Sequence, residues 1–240
     1  MNSLSPVFLT AEWRHLAMLN FEIDPKILAP LVPAGTELDF WNSKTYVSIV
    51  AFRFLKTRVR GIAFPFHRNF EEINLRFYVR RKADDGWRRA VVFIKEIVPR
   101  FAIAFVARTI YNEPYIALPT AHRIEQSSLE MIYSWRFKGK ESYLKIIPHG
   151  EARDLPEGSH EEFIAEHYWG YTAQRDGSTL EYRVEHPRWW IWDAQTAEWH
   201  CDIAALYGKL FLETLSHRPS SAFLAEGSPV KVYKGIRLKL

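Results

Sequence analysis

The chain has 240 residues, of which 48% are hydrophobic and 15% aromatic, and its formal net charge is +4. Such a chain can build a core without metals or disulfides, and its one cysteine, Cys201, cannot form an internal disulfide. The first residues lack a basic segment followed by an apolar run, and the longest apolar stretch, 101–107, is too short for a membrane span. We therefore expect one cytoplasmic domain over residues 1–240.

The charge is unevenly distributed. Residues 51–100 carry 13 Lys/Arg against 5 Asp/Glu, and residues 151–200 carry 4 against 11. Such blocks can bind polyanions, or they can face each other within one fold or across the interface of a homo-oligomer. No nucleic-acid-binding motif accompanies the basic block, so we expect no nucleic-acid partner.

The pattern along the chain predicts a large antiparallel sheet with a few helices, which is an all-β or α+β class. Segments rich in β-branched and aromatic residues predict strands, and the Asp85-Gly86 turn predicts a hairpin. The predicted strands are, in chain order, 45–56, 70–81, 90–97, 129–137, 142–147, 179–185, 189–192 and 229–238. The predicted helices are 24–31, 100–110, 163–169 behind a Ser159/Glu162 capping box, and 203–215 behind Asp202.

Alternation in the strand 70–81 separates two faces. Positions 73, 75, 77 and 79 are apolar, whereas Glu72, Asn74, Arg76 and Tyr78 share the other face. The polar face either meets water, as one face of an antiparallel sheet often does, or forms the wall of a pocket. In the second case, a carboxylate, an amide and a guanidinium would converge on one ligand.

The next predicted strand carries Lys95 and Glu96 side by side, so the two side chains point to opposite faces. Such residues are almost never buried without a partner, and at least one of them is expected to face a partner, a cavity or a strand end. Pairing through the hairpin would bring this strand beside the Glu72 strand. A polar cluster that spans both strands is then expected, unless Lys95 simply pairs with a carboxylate.

A third polar cluster follows, with Arg100, Arg108, Glu113 and Tyr115. Arg100 and Arg108 lie two helical turns apart and would share a face of the predicted helix. They either form surface ion pairs or bind a substrate carboxylate.

The second half of the chain contains two Glu-His pairs, at Glu166-His167 and Glu185-His186. They suggest acid/base chemistry or a metal, but their spacing does not match a metal motif, so we expect no metal. Structural histidines are the favoured interpretation for both. The run 189–192, with three tryptophans, predicts a core strand.

Six segments of the chain carry a family resemblance: FEEINLRFYVRR, VVFIKEIVPR, ARTIYNEPY, EHYWGYTAQRDG, EYRVEHPRWW and AEGSPVKVY. Together they resemble the YqjF-like family of bacterial proteins, whose members have unknown function and lie near acetoacetate decarboxylase in fold. The resemblance runs from about residue 13 to residue 232. It implies an acetoacetate-decarboxylase-like antiparallel β-barrel or clam with a few peripheral helices.

The resemblance to the enzyme can be followed residue by residue. Acetoacetate decarboxylases carry an arginine, then a proline, then the lysine that forms a Schiff base, and here Arg108 and Pro114 match that spacing. Tyr115 occupies the lysine position, and a phenol cannot form an imine. Glu72 resembles the glutamate of the enzyme's site. The resemblance therefore implies a pocket without the enzyme's nucleophile.

Two functions follow as hypotheses. The first is a binding module for a small organic ligand, with or without a carboxylate group. It uses no cofactor, and the ligand is contacted by Asn74, Arg76, Glu96, Arg100, Arg108 and Glu113. The alternative is a lysine-independent, lyase- or decarboxylase-like enzyme in which Glu72 or Tyr115 is the acid/base and Arg76 or Arg108 binds a carboxylate. Neither hypothesis involves a membrane or nucleic acid.

Overall fold

A computed structural model describes residues 5–100, 112 and 114–238 of the chain, and the described part is mainly β-structure. The strands, all in one sheet, are β1 (Val7–Ile23), β2 (Glu37–Leu38), β3 (Thr45–Val59), β4 (Phe70–Ala83), β5 (Gly86–Val98), β6 (Tyr115–Ala117), β7 (Thr120–Glu125), β8 (Glu130–Phe137), β9 (Lys140–Arg153), β10 (Trp169–Ala173), β11 (Thr179–Glu185), β12 (Ile191–His200), β13 (Ser221–Tyr233) and β14 (Ile236–Arg237). The helices are α1 (Pro25–Leu28), α2 (His160–Ala165), α3 (Ile203–Leu206) and α4 (Leu212–Ser216), with 3₁₀ turns at Ala29–Leu31 and Lys209–Phe211.

The sheet runs in the order β14-β11-β10-β5-β4-β3-β1-β13-β12-β9-β8-β7, with β2 attached to β4 and β6 to β5. Strand β11 also pairs with β13. These two strands and those that lie between them in the order above therefore form a circuit of paired strands. Most pairs are antiparallel, whereas β5 pairs in parallel with β6 and β10. The mainly β class and the antiparallel sheet are therefore confirmed.

Strand β4 lies between two hydrophobic clusters. Its odd positions, 73 to 79, belong to a cluster completed by β8, β9, α3 and α4. Its even face turns toward the second cluster, which includes Tyr78 of β4 and Phe163 and Ile164 of α2. A strand that is covered on both faces has no side that meets water, and this arrangement decides where the polar residues of β4 lie.

The hairpin is confirmed, because β4 and β5 pair antiparallel around the Asp85-Gly86 turn. Five strands that the sequence did not predict are present, β1, β2, β6, β7 and β10. The prediction of a helix over 163–169 was wrong in part, since α2 ends at Ala165 and Trp169 begins β10. The predicted helix 203–215 is interrupted at Gly208, whose φ of 102° is unfavourable for a continuing helix.

The predicted helix over 100–110 falls almost entirely on residues outside the described part of the chain. In that part, no helix combines the length and apolar character required to cross a membrane. The strand predicted over 189–192 begins only at Ile191, and its tryptophans differ: Trp189 is buried, whereas Trp190 is 53% exposed.

Candidate functional site

The polar residues on the even face of β4 are buried. Glu72 is 3% exposed, Asn74 2% and Arg76 9%. They are buried because this face packs against the second hydrophobic cluster and α2. The interpretation of a water-facing strand is therefore wrong, and the three groups form a polar row within apolar surroundings.

The strands beside β4 extend this row. In the register of the sheet, Asn74 lies opposite Glu96 on β5, and Glu96 lies opposite Tyr115 on β6. Glu96 is only 1% exposed. Lys95 lies opposite Leu75 and so points to the other face of the sheet. The cluster predicted to span both strands is thus formed by Glu96, and Lys95 takes no part in it.

Glu72 is the central acceptor of the row. Asn74 Nδ2 donates to Glu72 Oε1 at 3.1 Å, and the Tyr115 hydroxyl donates to Glu72 Oε2 at 3.0 Å. Burial raises the pKa of Glu72 to about 7, although the two hydrogen bonds and the positive charge of Arg76 oppose this rise. A carboxyl group with this pKa can hold or release a proton near neutral pH.

The contacts of Arg76 with the described residues are made to groups that carry no negative charge. Its Nη2 donates to the carbonyl of Ile164 at 3.2 Å and lies 4.0 Å from the sulfur of Met18. Its guanidinium carbon lies 5.6 Å from the centre of the Tyr78 ring. Among the described residues, no carboxylate lies within 4.0 Å of Arg76, and its Nε has no hydrogen-bond partner.

His167 lies beside this row, just beyond the end of α2. It is 7% exposed, and its ring centre is 4.7 Å from that of Tyr78. Burial lowers the pKa of His167 well below its usual range, and the charges of Arg89 and Arg76 lower it further. The imidazole is therefore neutral at physiological pH. The sequence favoured a structural role for His167. It did not predict that His167 lies beside Tyr78, because this proximity comes from the packing of α2 on β4.

Three side chains of this region keep buried polar atoms without a normal hydrogen bond in the described structure: Asn74 Oδ1, Arg76 Nε and the ring nitrogens of His167. The great majority of buried polar atoms in proteins have partners, so such a concentration calls for an explanation. Together these atoms offer donors and acceptors to a small polar molecule. We use the name polar row for Glu72, Asn74, Arg76, Glu96 and Tyr115, with His167 beside it.

Other predicted site residues are placed differently. Arg100 is exposed, so the structure does not bring it into the buried row. Arg108 and Glu113 lie outside the described residues. Within the described ranges, no group of three or more His, Cys, Asp or Glu side chains could hold a metal ion.

The second histidine of interest, His186, is part of an aromatic stack. Its ring lies 4.2 Å from that of Trp189, and its Nδ1 is 2.9 Å from the carbonyl oxygen of Pro187. Burial raises the pKa of the Cys201 thiol to about 12, so this group is not an activated nucleophile.

An open groove of about 800 Å³ lies elsewhere on the molecule, between β12 and α4. Its polar side chains include Glu198, His200 and Arg218, all of which are exposed. Water can satisfy these groups, whereas the unpaired atoms of Asn74, Arg76 and His167 are buried. The polar row is therefore the stronger candidate for selective binding, although it is not an open groove.

The chain belongs to the DUF2071 family, described as an uncharacterized conserved protein, whose pattern matches residues 10–229. It is similar to the uncharacterized protein YqjF of Bacillus subtilis (strain 168). The two are 28% identical over 189 residues, which cover 78% of this chain and 74% of that protein. The predicted resemblance to the YqjF-like family is confirmed.

Solved structures of similar fold include an acetoacetate decarboxylase from Legionella pneumophila, with a TM-score of 0.67 and 14% identity over 100% of this chain and 90% of that one. An acetoacetate decarboxylase-like enzyme from Sphingomonas wittichii RW1 has a TM-score of 0.64 and 12% identity, covering 99% and 95%. The enduracididine biosynthesis enzyme MppR, complexed with pyruvate, has a TM-score of 0.69 and 11% identity, covering 98% and 92%. The fold is therefore acetoacetate-decarboxylase-like, as predicted.

Proposed function

We propose that this member of the DUF2071 family binds a small organic carboxylate at the polar row, and that Arg76 pairs with the carboxylate. The observation that carries the proposal is the burial of Arg76 without a carboxylate partner among the described residues. Glu72 does not fill this role, since it receives its hydrogen bonds from Asn74 and Tyr115 and its pKa is about 7.

The energetics of burial support an anionic ligand. A guanidinium in apolar surroundings loses its hydration, which costs several kcal/mol unless a counterion and hydrogen bonds replace it. The carbonyl of Ile164 replaces one of those hydrogen bonds, and Nε is left to donate another. A carboxylate would accept from Nε and supply the missing charge, because its two oxygens match the planar fork of a guanidinium.

Schiff-base chemistry is not part of the proposal. By the resemblance to acetoacetate decarboxylase, Tyr115 occupies the position of the reactive lysine, and its hydroxyl donates to Glu72. Lys95, the lysine next to Glu96 on β5, points to the opposite face of the sheet. The ligand would therefore be held through ionic and hydrogen-bonding contacts only.

Isothermal titration with small carboxylates and with the corresponding neutral amides tests this proposal. We expect saturable binding of at least one carboxylate and no binding of its amide. Arg76→Met should weaken the binding by about tenfold to a hundredfold, the range for a hydrogen bond to a charged group. Arg80→Met is the matched control, because Arg80 lies on the same strand with its own partner, Glu37 at 2.7 Å. Equal loss in both variants, or binding of the amide, would contradict the proposal.

A second candidate is a lysine-independent lyase- or decarboxylase-like enzyme. It is favoured by one feature, the 3.0 Å hydrogen bond between Tyr115 and a carboxyl group with a pKa of about 7. Such a pair could transfer a proton to or from a bound substrate. Glu72→Gln should then abolish turnover of a keto-acid or enol substrate while the fold persists. If a broad panel of such compounds gives no product, the binding function remains and the enzyme is excluded.

We also infer that the basic segment serves the fold instead of a nucleic acid. Arg81 and Arg88 of that segment pair with Glu181 of the acidic segment, at 3.3 and 2.6 Å. The absence of nucleic-acid binding at low salt would agree with this inference. A cytoplasmic location is inferred from the single unpaired cysteine.

A further inference from the structure

We propose that the ligand is a hydroxycarboxylate, and that His167 accepts a hydrogen bond from its hydroxyl group while Arg76 binds its carboxylate. The inference rests on the proposed function and specifies the ligand class. It assigns to His167 the role of a specificity residue.

Arg76 and His167 are neighbours, because both lie against the ring of Tyr78 and the charge of Arg76 lowers the pKa of His167. The guanidinium carbon of Arg76 is 5.6 Å from the centre of the Tyr78 ring, and the His167 ring centre is 4.7 Å from the same point. Arg76 also donates to the carbonyl of Ile164, three residues before His167. A ligand beside the Tyr78 ring would therefore meet side chains from both β4 and the end of α2.

The Tyr78 hydroxyl is committed elsewhere and fixes this geometry. It lies 2.6 Å from Ser48 Oγ, which in turn donates to Asn20 Oδ1 at 2.6 Å. Because the single hydrogen of the serine is used on Asn20, the tyrosine must donate to the serine. Tyr78 thus holds its ring beneath His167 and offers no hydroxyl hydrogen to a ligand.

The buried polar atoms without hydrogen-bond partners in the described structure indicate which donors and acceptors the ligand must have. Arg76 Nε is a donor and needs an acceptor, which a carboxylate provides. A neutral imidazole has one donor and one acceptor nitrogen. The backbone of Ile164 raises the pKa of His167, as a hydrogen-bond acceptor does, so the donor nitrogen lies near that carbonyl and the acceptor nitrogen remains for a ligand. Asn74 Oδ1 is a further acceptor. The site therefore combines one position for an anion with neighbouring positions for hydrogen-bond donors.

The local charges select a hydroxyl among the possible donors. Arg76 and Arg89 both lower the pKa of His167, so the region has a positive potential that repels an ammonium group. A keto group carries no hydrogen and would leave the imidazole acceptor unused. A hydroxyl is neutral and donates one hydrogen, and it can also accept one.

Isothermal titration with matched pairs of acids tests the inference directly on the unmodified protein. The pairs are lactate with propionate, and 3-hydroxybutyrate with butyrate; pyruvate and alanine complete the panel. We expect the hydroxy acid of at least one pair to bind about tenfold more tightly than its deoxy partner, the size of one net hydrogen bond. Pyruvate should bind no better than propionate, and alanine more weakly than lactate.

Variants assign the preference to His167. His167→Phe should reduce the preference to less than about twofold, because the contact with the hydroxyl group is lost. His167→Gln, which keeps a donor and an acceptor, should retain part of the preference. His186→Phe is the matched control, since His186 is equally buried at 7% and stacks on Trp189.

The outcomes separate this inference from the proposed function. If carboxylates bind to the wild type but no pair shows a hydroxyl preference, the hydroxycarboxylate is excluded and the carboxylate site stands. A preference that survives in His167→Phe also overturns the role of His167. If no carboxylate binds at all, the proposed function and this inference fall together. Since the paired acids are compared first on the wild type, misfolding of a variant does not prevent a decision.

Discussion

Glu71 and Glu72 are adjacent on β4, point to opposite faces of the sheet, and have opposite pKa shifts. Burial raises the pKa of Glu72 to about 7. Glu71 is also partly buried, but hydrogen bonds from Thr120 at 2.7 Å and His122 at 2.6 Å lower its pKa below the usual value. Replacing each glutamate by glutamine therefore tests the electrostatics of the site against a neighbour one residue away.

For Glu72, the shift from 4.5 to about 7 corresponds to about 3 kcal/mol. The native pKa lies above the unfolded one, so the stabilising contribution is complete below pH 4.5. It is lost as the pH rises from that value through about 7, because the unfolded chain ionises more readily than the native protein. Relative to Glu72→Gln, the wild type should therefore lose about 3 kcal/mol across this window.

Glu71→Gln should show the opposite dependence. The native pKa of Glu71 lies below the unfolded one, so its contribution is present above pH 4.5 and disappears as the pH falls through the native value. The advantage of the wild type over Glu71→Gln should thus be constant near neutrality and vanish in acid.

Urea unfolding measured from pH 4 to pH 8 on the three proteins provides the free energies of unfolding. Differences between wild type and variant cancel the titration of groups that all three proteins share, such as His167. If wild type and Glu72→Gln keep a constant difference from pH 4.5 to 7.5, Glu72 is not a buried acid of raised pKa. The acid/base part of the second candidate function would then lose its basis.

Three further predictions concern the fold around the site. Gly227→Ala should destabilise the protein by about 2 kcal/mol or more, since its φ is 83° and the added carbon would lie 2.1 Å from the carbonyl oxygen of Trp13; a melting temperature equal to that of the wild type would refute this. Cys201 should react with a disulfide reagent far more slowly at pH 8 than free cysteine does, because burial raises its pKa to about 12. Ser159→Ala should cost about 1 kcal/mol in urea unfolding, since the serine caps α2 through Glu162 N.

The sequence predicted the hairpin and most strands, because alternation and turn residues are local signals. It did not predict β1, whose residues Leu16, Ala17, Met18 and Leu19 are all buried. A strand covered on both faces shows no alternation, and this one lies in the middle of the sheet between β3 and β13. The helix predicted over 203–215 is interrupted at Gly208. This glycine is a local signal against a helix, but the prediction gave more weight to the helical spacing of the apolar residues.

For the site, the alternation of side chains along β4 correctly predicted that Glu72, Asn74 and Arg76 share one face. Whether that face met water could not be read from the strand itself, because its burial comes from α2, which lies far away in the chain. His167 was recognisable only as a residue near a helix end, and its proximity to Tyr78 depends on tertiary packing. Periodicity thus defines the faces of a strand, and long-range contacts decide what covers them.

Arg76 and Arg88 allow a final test of whether the polar row exists for binding or for stability. Arg76→Met removes a buried charge that has no carboxylate partner among the described residues, so the unfolding free energy should be no lower than that of the wild type. Arg88 donates to Glu181 at 2.6 Å, and that glutamate is only 1% exposed. Arg88→Met should therefore cost about 2 kcal/mol, because it weakens the hydrogen bonding of a buried carboxylate.

Urea unfolding of both variants at pH 7, without ligand, decides between the two roles of Arg76. A loss for Arg76→Met as large as that for Arg88→Met would mean that the guanidinium stabilises the fold through Ile164, and the case for a ligand carboxylate would lose its main support. If Arg76→Met is stable but no longer binds carboxylates, the buried charge contributes to ligand binding and not to the stability of the fold. The bound carboxylate then acts as the counterion that offsets the lost hydration.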